Sequence, residues 1–128
     1  MAALSEILRE SGDGRLGYRC PACDEFHVIN TDPRASGPRW TWNGDPVRPT
    51  FAPAIRVRSI RRGLTGDDAE LLEDTLAQPG GKDMAMHDPR LSFVCHHFVV
   101  AGQLRFQKDC THGMAGKTVD IPPWKRER

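Results

Sequence analysis

The stretch Arg19-Cys20-Pro21-Ala22-Cys23-Asp24-Glu25-Phe26-His27 sets two thiols three positions apart, with an imidazole four positions further on. Only two other cysteines exist: Cys95 in Cys95-His96-His97-Phe98 and Cys110 in Asp109-Cys110-Thr111-His112. Each of these also lies beside histidine. Thiolates and imidazoles are zinc donors, and zinc takes four of them tetrahedrally, with sulfur at ~2.3 Å and nitrogen at ~2.0–2.1 Å. A C-x-x-C turn offers two thiolates to one ion while its backbone N–H groups face the sulfurs, and Pro21 stiffens that turn. Two other readings stand beside the metal. Cys20 and Cys23 can form a redox pair, although no thioredoxin-like βαβ pattern surrounds them, and Cys95 and Cys110 can be inert buried thiols.

The C-terminal spacing suggests how the second pair of cysteines meets. With Ala101-Gly102 as a two-residue turn, Val100 faces Gln103 and Val99 faces Leu104. Counting outward, Cys95 faces Lys108 and Phe93 faces Cys110. Opposed residues share a face, as do alternate ones. One face then carries Phe93, Cys95, His97, Val99, Leu104, Phe106, Lys108 and Cys110, and is the core side. The other carries His96, Phe98, Arg105, Gln107 and Asp109. Cys95 and Cys110 become diagonal neighbours, and the expected ligand set is Cys20, Cys23, Cys95 and Cys110, with His112 or His27 as alternative ligands.

Four cysteines leave His27, His96, His97 and His112 over, and the leading expectation is that these support the metal ligands or pack partly buried. His96 beside Asp109 is a candidate general base, with His112 a further candidate to assist water at a metal. No nucleophile motif, HExxH helix or oxyanion loop accompanies them. Trp42, Asn43, Asp45 and Arg48 form a candidate recognition surface around an Asn-Gly turn, whose aromatics can equally belong to the core. Arg56, Arg58, Arg61 and Arg62 form a basic run, the only internal candidate for nucleic acid. With 18 basic and 17 acidic residues, the whole domain does not track a phosphate backbone.

The elements that must position these groups are short. Twelve Gly, ten Pro and 38% hydrophobic residues in 128 predict a turn-rich single domain over 1–128 that needs a staple. Leu4, Ile7 and Leu8 predict a helix over 2–10. Strands are expected over 26–29, 54–60, 93–98 and 103–108, and a hairpin with a type I′ Asn43-Gly44 turn. Pro46, Pro49 and Pro53 suit an edge strand or an extended segment, not a central strand. Residues 65–78 read as a helix capped by Thr65, with an Ala69, Leu72, Leu76 stripe packed on the sheet. Residues 80–92 read as loop, so 61–92 is a helical insert, and 124–128 is a flexible basic tail. The N-terminus carries no signal peptide pattern and no segment reaches ~18 apolar residues, which predicts a cytoplasmic protein with no membrane contact and reduced thiols.

The combined motifs resemble a family of small phage and prophage proteins of unknown function, often mislabelled ammonia monooxygenase. Relatives occur in bacterial operons carrying ubiquitin-like proteins with their activating enzymes and peptidases. The resemblance covers roughly residues 18–60 and 93–123. It rests on Cys20, Pro21, Cys23 and His27; on Trp40, Trp42, Asn43, Gly44 and Asp45 running through Pro49, Thr50, Phe51 and Pro53; on Cys95, His96 and Phe98 with Gly102; and on Asp109, Cys110, Thr111, His112, Ala115 and Gly116. It implies a metal site and brings no established activity.

The expected molecule is therefore an α+β domain, mostly antiparallel sheet with two short helices, stapled by Zn2+. Three functions are carried forward. The first is a protein-interaction module docking on a host or phage protein. The second is a metal-dependent hydrolase of an amide or isopeptide bond, and the third a nucleic-acid binder.

Overall fold

The computed structural model describes residues 2–124. Two antiparallel sheets form it, with two helices at one end. The first sheet has the order β1 (Ala2–Ala3), β2 (Arg9–Glu10), β3 (Arg15–Cys20), β4 (Glu25–Asn30). The second runs β5 (Thr41–Trp42), β6 (Phe51–Ile60), β7 (Ser92–Val100), β8 (Gln103–Phe106), β9 (Thr118–Asp120). Helices α1 (Gly66–Leu76) and α2 (Gly81–Met86) lie between β6 and β7 in the chain. This is the expected small α+β architecture.

Alternation decides which side chains meet. Leu16, Tyr18 and Cys20 of β3 and His27 and Ile29 of β4 are buried, while Phe26 and Val28 between them are exposed. On the second sheet Ile55, Cys95, His97, Val99, Leu104 and Phe106 are buried. These inner faces pack together as one core, with Tyr18 stacked against Phe51 at 5.9 Å. The polar members sit where alternation alone puts them.

The β7–β8 hairpin keeps the predicted register as far as His97 opposite Phe106. Ala101 and Gly102 both take positive φ, 49° and 80°, as a two-residue turn with the strand twist requires. The ladder then ends. Gln107 donates to the His96 carbonyl, Cys110 turns back to Gln107, and Thr111 donates to Val94. The expected pairs Cys95–Lys108 and Phe93–Cys110 therefore do not form. Strand β9, absent from the sequence reading, covers the outer edge of β8.

Other expectations are corrected. Residues 2–10 are no helix: Ser5 Oγ accepts from the backbone N–H groups of Ile7 and Leu8, folding the chain so that Leu8 enters the core and β1 pairs with β2. A serine hydroxyl offering the backbone a local partner competes with helix. The Asn43-Gly44 turn is not type I′. Trp42 pairs with Phe51, so residues 43–50 form a long loop, and of the two only Gly44 has positive φ. Pro46 and Pro49 lie in that loop; β6 sits between β5 and β7, but β5 reaches only Phe51 and Ala52, and Pro53 falls where the register shifts between Phe51 and Ile55.

Thr65 takes the N-cap position of α1 without a side-chain cap bond. Thr75 is the buried residue of that helix and Leu76 is exposed. The region expected as loop holds α2, and it is α2 that meets β6 and β7, with α1 packed on α2. A Cβ at Gly81 would lie 2.0 Å from the Thr75 carbonyl oxygen, so only glycine lets the two helices approach this closely. Trp124, placed in the tail by the sequence reading, stacks on Phe26 at 4.1 Å, and residues 125–128 lie outside the described residues. No described helix is long and apolar enough to cross a membrane.

Candidate metal centre

The β3–β4 hairpin builds three quarters of the centre. Cys20 ends β3, the chain turns through 21–24 with Asp24 in a left-handed conformation, and β4 returns beside it. In this register Tyr18 faces His27 and Cys20 faces Glu25, so Cys20 and His27 are diagonal neighbours on the inner face. Cys23 reaches in from the turn, and its sulfur lies 3.5 Å from His27 Nε2. Cys95, on the inner face of β7, completes the group from the other sheet.

One donor atom each from Cys20, Cys23, His27 and Cys95 lies within 4.8 Å of the other three, and all four residues are buried. Three sulfurs and one imidazole nitrogen in this closeness match the Cys3His donor set of structural zinc sites. The group thus fits a tetrahedral metal ion. Its electrostatics agree with this: Cys20 is driven toward thiolate by hydrogen bonds first from Cys23 and then from Cys95, while Cys23 and Cys95 are pushed up, chiefly by their bonds to Cys20. Three thiols crowded here cannot all ionise unless a cation joins them.

Cys110, expected as a ligand, is not in the group. Because the ladder ends at Phe106, its sulfur settles over β7, accepting from the His96 N–H at 3.2 Å and donating to the His96 carbonyl at 3.1 Å. The alternative ligand His112 is also outside. Its Nδ1 accepts from the Met114 N–H, its ring stands edge-on to Phe106, and burial lowers its pKa. His27 was legible as the third donor: a four-residue turn after Cys20 brings a residue at position 27 back beside it.

His97, between the sheets, packs around the centre without ligating it, as expected of a surplus histidine on the core-side face. It is fully buried and stacks on His27 at 5.1 Å. Its Nδ1 lies 3.3 Å from Cys95 sulfur and its Nε2 2.8 Å from the Tyr18 hydroxyl. A thiolate only accepts, so with Cys95 ionised the ring donates from Nδ1 and accepts at Nε2 from Tyr18. Burial first, and then the charge of His27, push His97 down to about 3, so it stays neutral. Tyr18, raised well above its ordinary value by burial, keeps its proton. Such outer partners orient a ligand and disperse its charge.

His96 points the other way, to the outer face of the second sheet, as the register predicted. Its Nδ1 donates to Asp109, 2.9 and 3.0 Å from the two carboxylate oxygens. A carboxylate at Nδ1 sets the tautomer that a general base uses at Nε2. None of the five serines hydrogen-bonds a histidine. Ser5 and Ser11 serve local turns, Ser59 lies 3.5 Å from Glu25, and Ser92 donates to the Met86 and Asp88 carbonyls. Ser36 is exposed in the 31–39 loop.

The candidate recognition residues are employed in building their loop. Asn43 Oδ1 accepts from Asp45 and Thr50, its Nδ2 donates to the Arg48 carbonyl, and Trp42 donates to the Asp45 carbonyl. Asp45 accepts from Arg48 and Val47, which hold its carboxyl below the usual range. The basic run is divided: Arg61 donates to the Pro89 and Thr111 carbonyls and Arg62 pairs with Glu25, leaving Arg56 and Arg58 exposed on β6.

No curated protein and no solved structure matches the chain. Residues 3–107 match the family described as bacterial ubiquitination-like system serine protease (BubE), and since this is most of the chain, the chain belongs to the BubE family.

Proposed function

We propose that this chain is a zinc-stapled protein-binding component of a bacterial ubiquitination-like system, docking on the system's ubiquitin-like protein or a conjugate of it. The observation that carries the reading is the closed, buried Cys20, Cys23, His27, Cys95 group. Four protein donors leave no open position, so zinc there ties the two sheets together and supplies no reacting water. Recognition then belongs to the outer surface. The family's ubiquitination-like setting supports a protein partner, in the bacterial cytoplasm where thiols stay reduced. A phage-type origin remains part of this proposal. The test is calorimetric titration of the metal-loaded chain with the purified ubiquitin-like protein of the same system. Saturable binding near one to one supports the reading, and a folded, metal-loaded chain that shows no heat of binding refutes it.

A second reading, hydrolysis of an amide or isopeptide bond, is favoured by the His96–Asp109 pair together with the family's description as a serine protease. His96 would take a proton at Nε2 from the attacking hydroxyl or water, with Asp109 holding the ring. This proton handling does not involve the Cys20, Cys23, His27, Cys95 group, whose β7 member faces the opposite side of that strand. A fluorophosphonate probe and a ubiquitin-like fusion substrate test it. Labelling of one serine and cleavage abolished by His96→Ala support it. No labelling and no cleavage by the metal-loaded chain leave binding as the function.

A further inference from the structure

The outer face of the second sheet carries three arginines and an exposed aromatic ring in a regular array. Arg56 and Arg58 alternate with the inward residues of β6, His96 and Phe98 with those of β7, and Arg105 with those of β8. The register sets Arg56 opposite His96 and Phe98 opposite Arg105. All three arginines are exposed, and Phe98 keeps 41% of its surface in solvent. Among the described residues none of the three has a carboxylate partner. Elsewhere Arg15, Arg19, Arg34, Arg62 and Arg90 pair with acids, Arg39 and Arg61 donate to carbonyls, and Arg9 lies over the Trp124 ring. The acids on this face are engaged by neutral or histidine partners: Asp109 is held by His96, and Asp120, diagonal to Arg105, accepts from Gln103 Nε2.

Arg56 and Arg58 are like charges on the same face of one strand, and among the described residues no ion pair offsets either of them. Their spacing has a meaning for a ligand. Arg56 and Arg58 are two residues apart on one strand, about 6.5–7 Å. An extended peptide repeats its own side chains at that same interval, so acids at alternate positions match them. Arg105 lies two strands over and two residues along from Arg56, about 12 Å away, beside an aromatic surface that can cover an apolar residue between acids.

Resting on the protein-binding reading above, we infer that this face binds an extended acidic peptide segment of the partner protein, with Arg56, Arg58 and Arg105 taking its carboxylates and Phe98 its apolar side chain. Guanidiniums suit this because their fork matches a carboxylate. A duplex or single-stranded nucleic acid offers phosphates instead, and is the competing occupant that the test must exclude.

The experiment uses the metal-loaded full chain and a fluorescein-labelled peptide alternating Glu and Val, read by anisotropy. Binding is expected to weaken steeply with salt. An Arg56→Ala/Arg105→Ala double variant should bind at least tenfold more weakly, whereas Arg90→Ala, remote and already paired, should bind as the parent does. The inference is overturned if the peptide does not bind, if the double variant binds it unchanged, or if a DNA oligonucleotide of equal charge binds more tightly. The same variants titrated with the ubiquitin-like protein separate the two proposals. Undiminished binding by the double variant removes this face but keeps the function, and no binding by the parent chain removes the function itself.

Discussion

Cys95→Ser, His27→Ala and Cys110→Ser together test which atoms hold the metal. Structural zinc contributes an apparent ~10–16 kcal/mol at neutral pH, against a whole-domain stability of ~5–15 kcal/mol. Cys95 is the single donor from the second sheet, so its loss opens the link between residues about 70 apart in the chain. By the chain-entropy relation for cross-links, closing a loop of that length is worth about 4 kcal/mol, before any loss of metal–sulfur bonding. Cys95→Ser and His27→Ala should therefore lose metal to a competing chelator and melt far lower, or not fold. Cys110→Ser should keep one metal per chain. Its new hydroxyl can replace the sulfur against the His96 N–H and carbonyl, at a cost of about 1 kcal/mol or less. The assays are elemental analysis after gel filtration and thermal melting. Metal lost from Cys110→Ser while His27→Ala retains it would refute the reasoning and restore the four-cysteine set.

His97→Phe keeps a ring between the sheets but deletes the N–H facing Cys95; metal affinity should fall roughly 10–100-fold by competition with a chromophoric chelator. The same variant tests a pH dependence. The His97 pKa is depressed to about 3 in the folded protein from 6.5, so the unfolded chain takes up its proton first and stability falls as pH drops through that window. Urea midpoints measured down from pH 6.5 should lose part of their slope in His97→Phe. Asn43→Ala removes three side-chain bonds that shape the 43–50 loop and should cost about 1–2 kcal/mol in urea unfolding, since these groups are exposed and regain water. Gly81→Ala forces its Cβ against the Thr75 carbonyl and should cost about 1–3 kcal/mol, read as a lower melting temperature with metal content unchanged.

Much of the centre was legible because alternation is a strict rule. The β7–β8 register, the inward Cys95 and the outward His96 all followed from one two-residue turn. The prediction failed where the turn's influence ended. Beyond Phe106 the chain leaves the ladder, and counting onward carried Cys110 to a place it does not occupy. The same limit explains residues 2–10, where one serine hydroxyl redirects a stretch whose apolar spacing also fits a helix. His27 was nearer to hand than Cys110, because only a short turn separates it from Cys20. For His97 the inward direction and a supporting place were legible, and its partners were not. Its role depends on which atoms of the opposite sheet face it, and pattern within one strand does not tell that.

The uneven sharing of the four donors between the sheets bears on the order of folding. Cys20, Cys23 and His27 sit within one short hairpin, whereas Cys95 must return across the whole length of β6 and both helices. Hairpins close in roughly microseconds, and long-range pairing follows much later. Cys20, Cys23 and His27 would therefore be in place to hold an ion before β7 docks, and Cys95 would join them only when the second sheet closes on the first. Scarcity of metal during synthesis would stall the molecule with its first hairpin unanchored and both inner faces exposed.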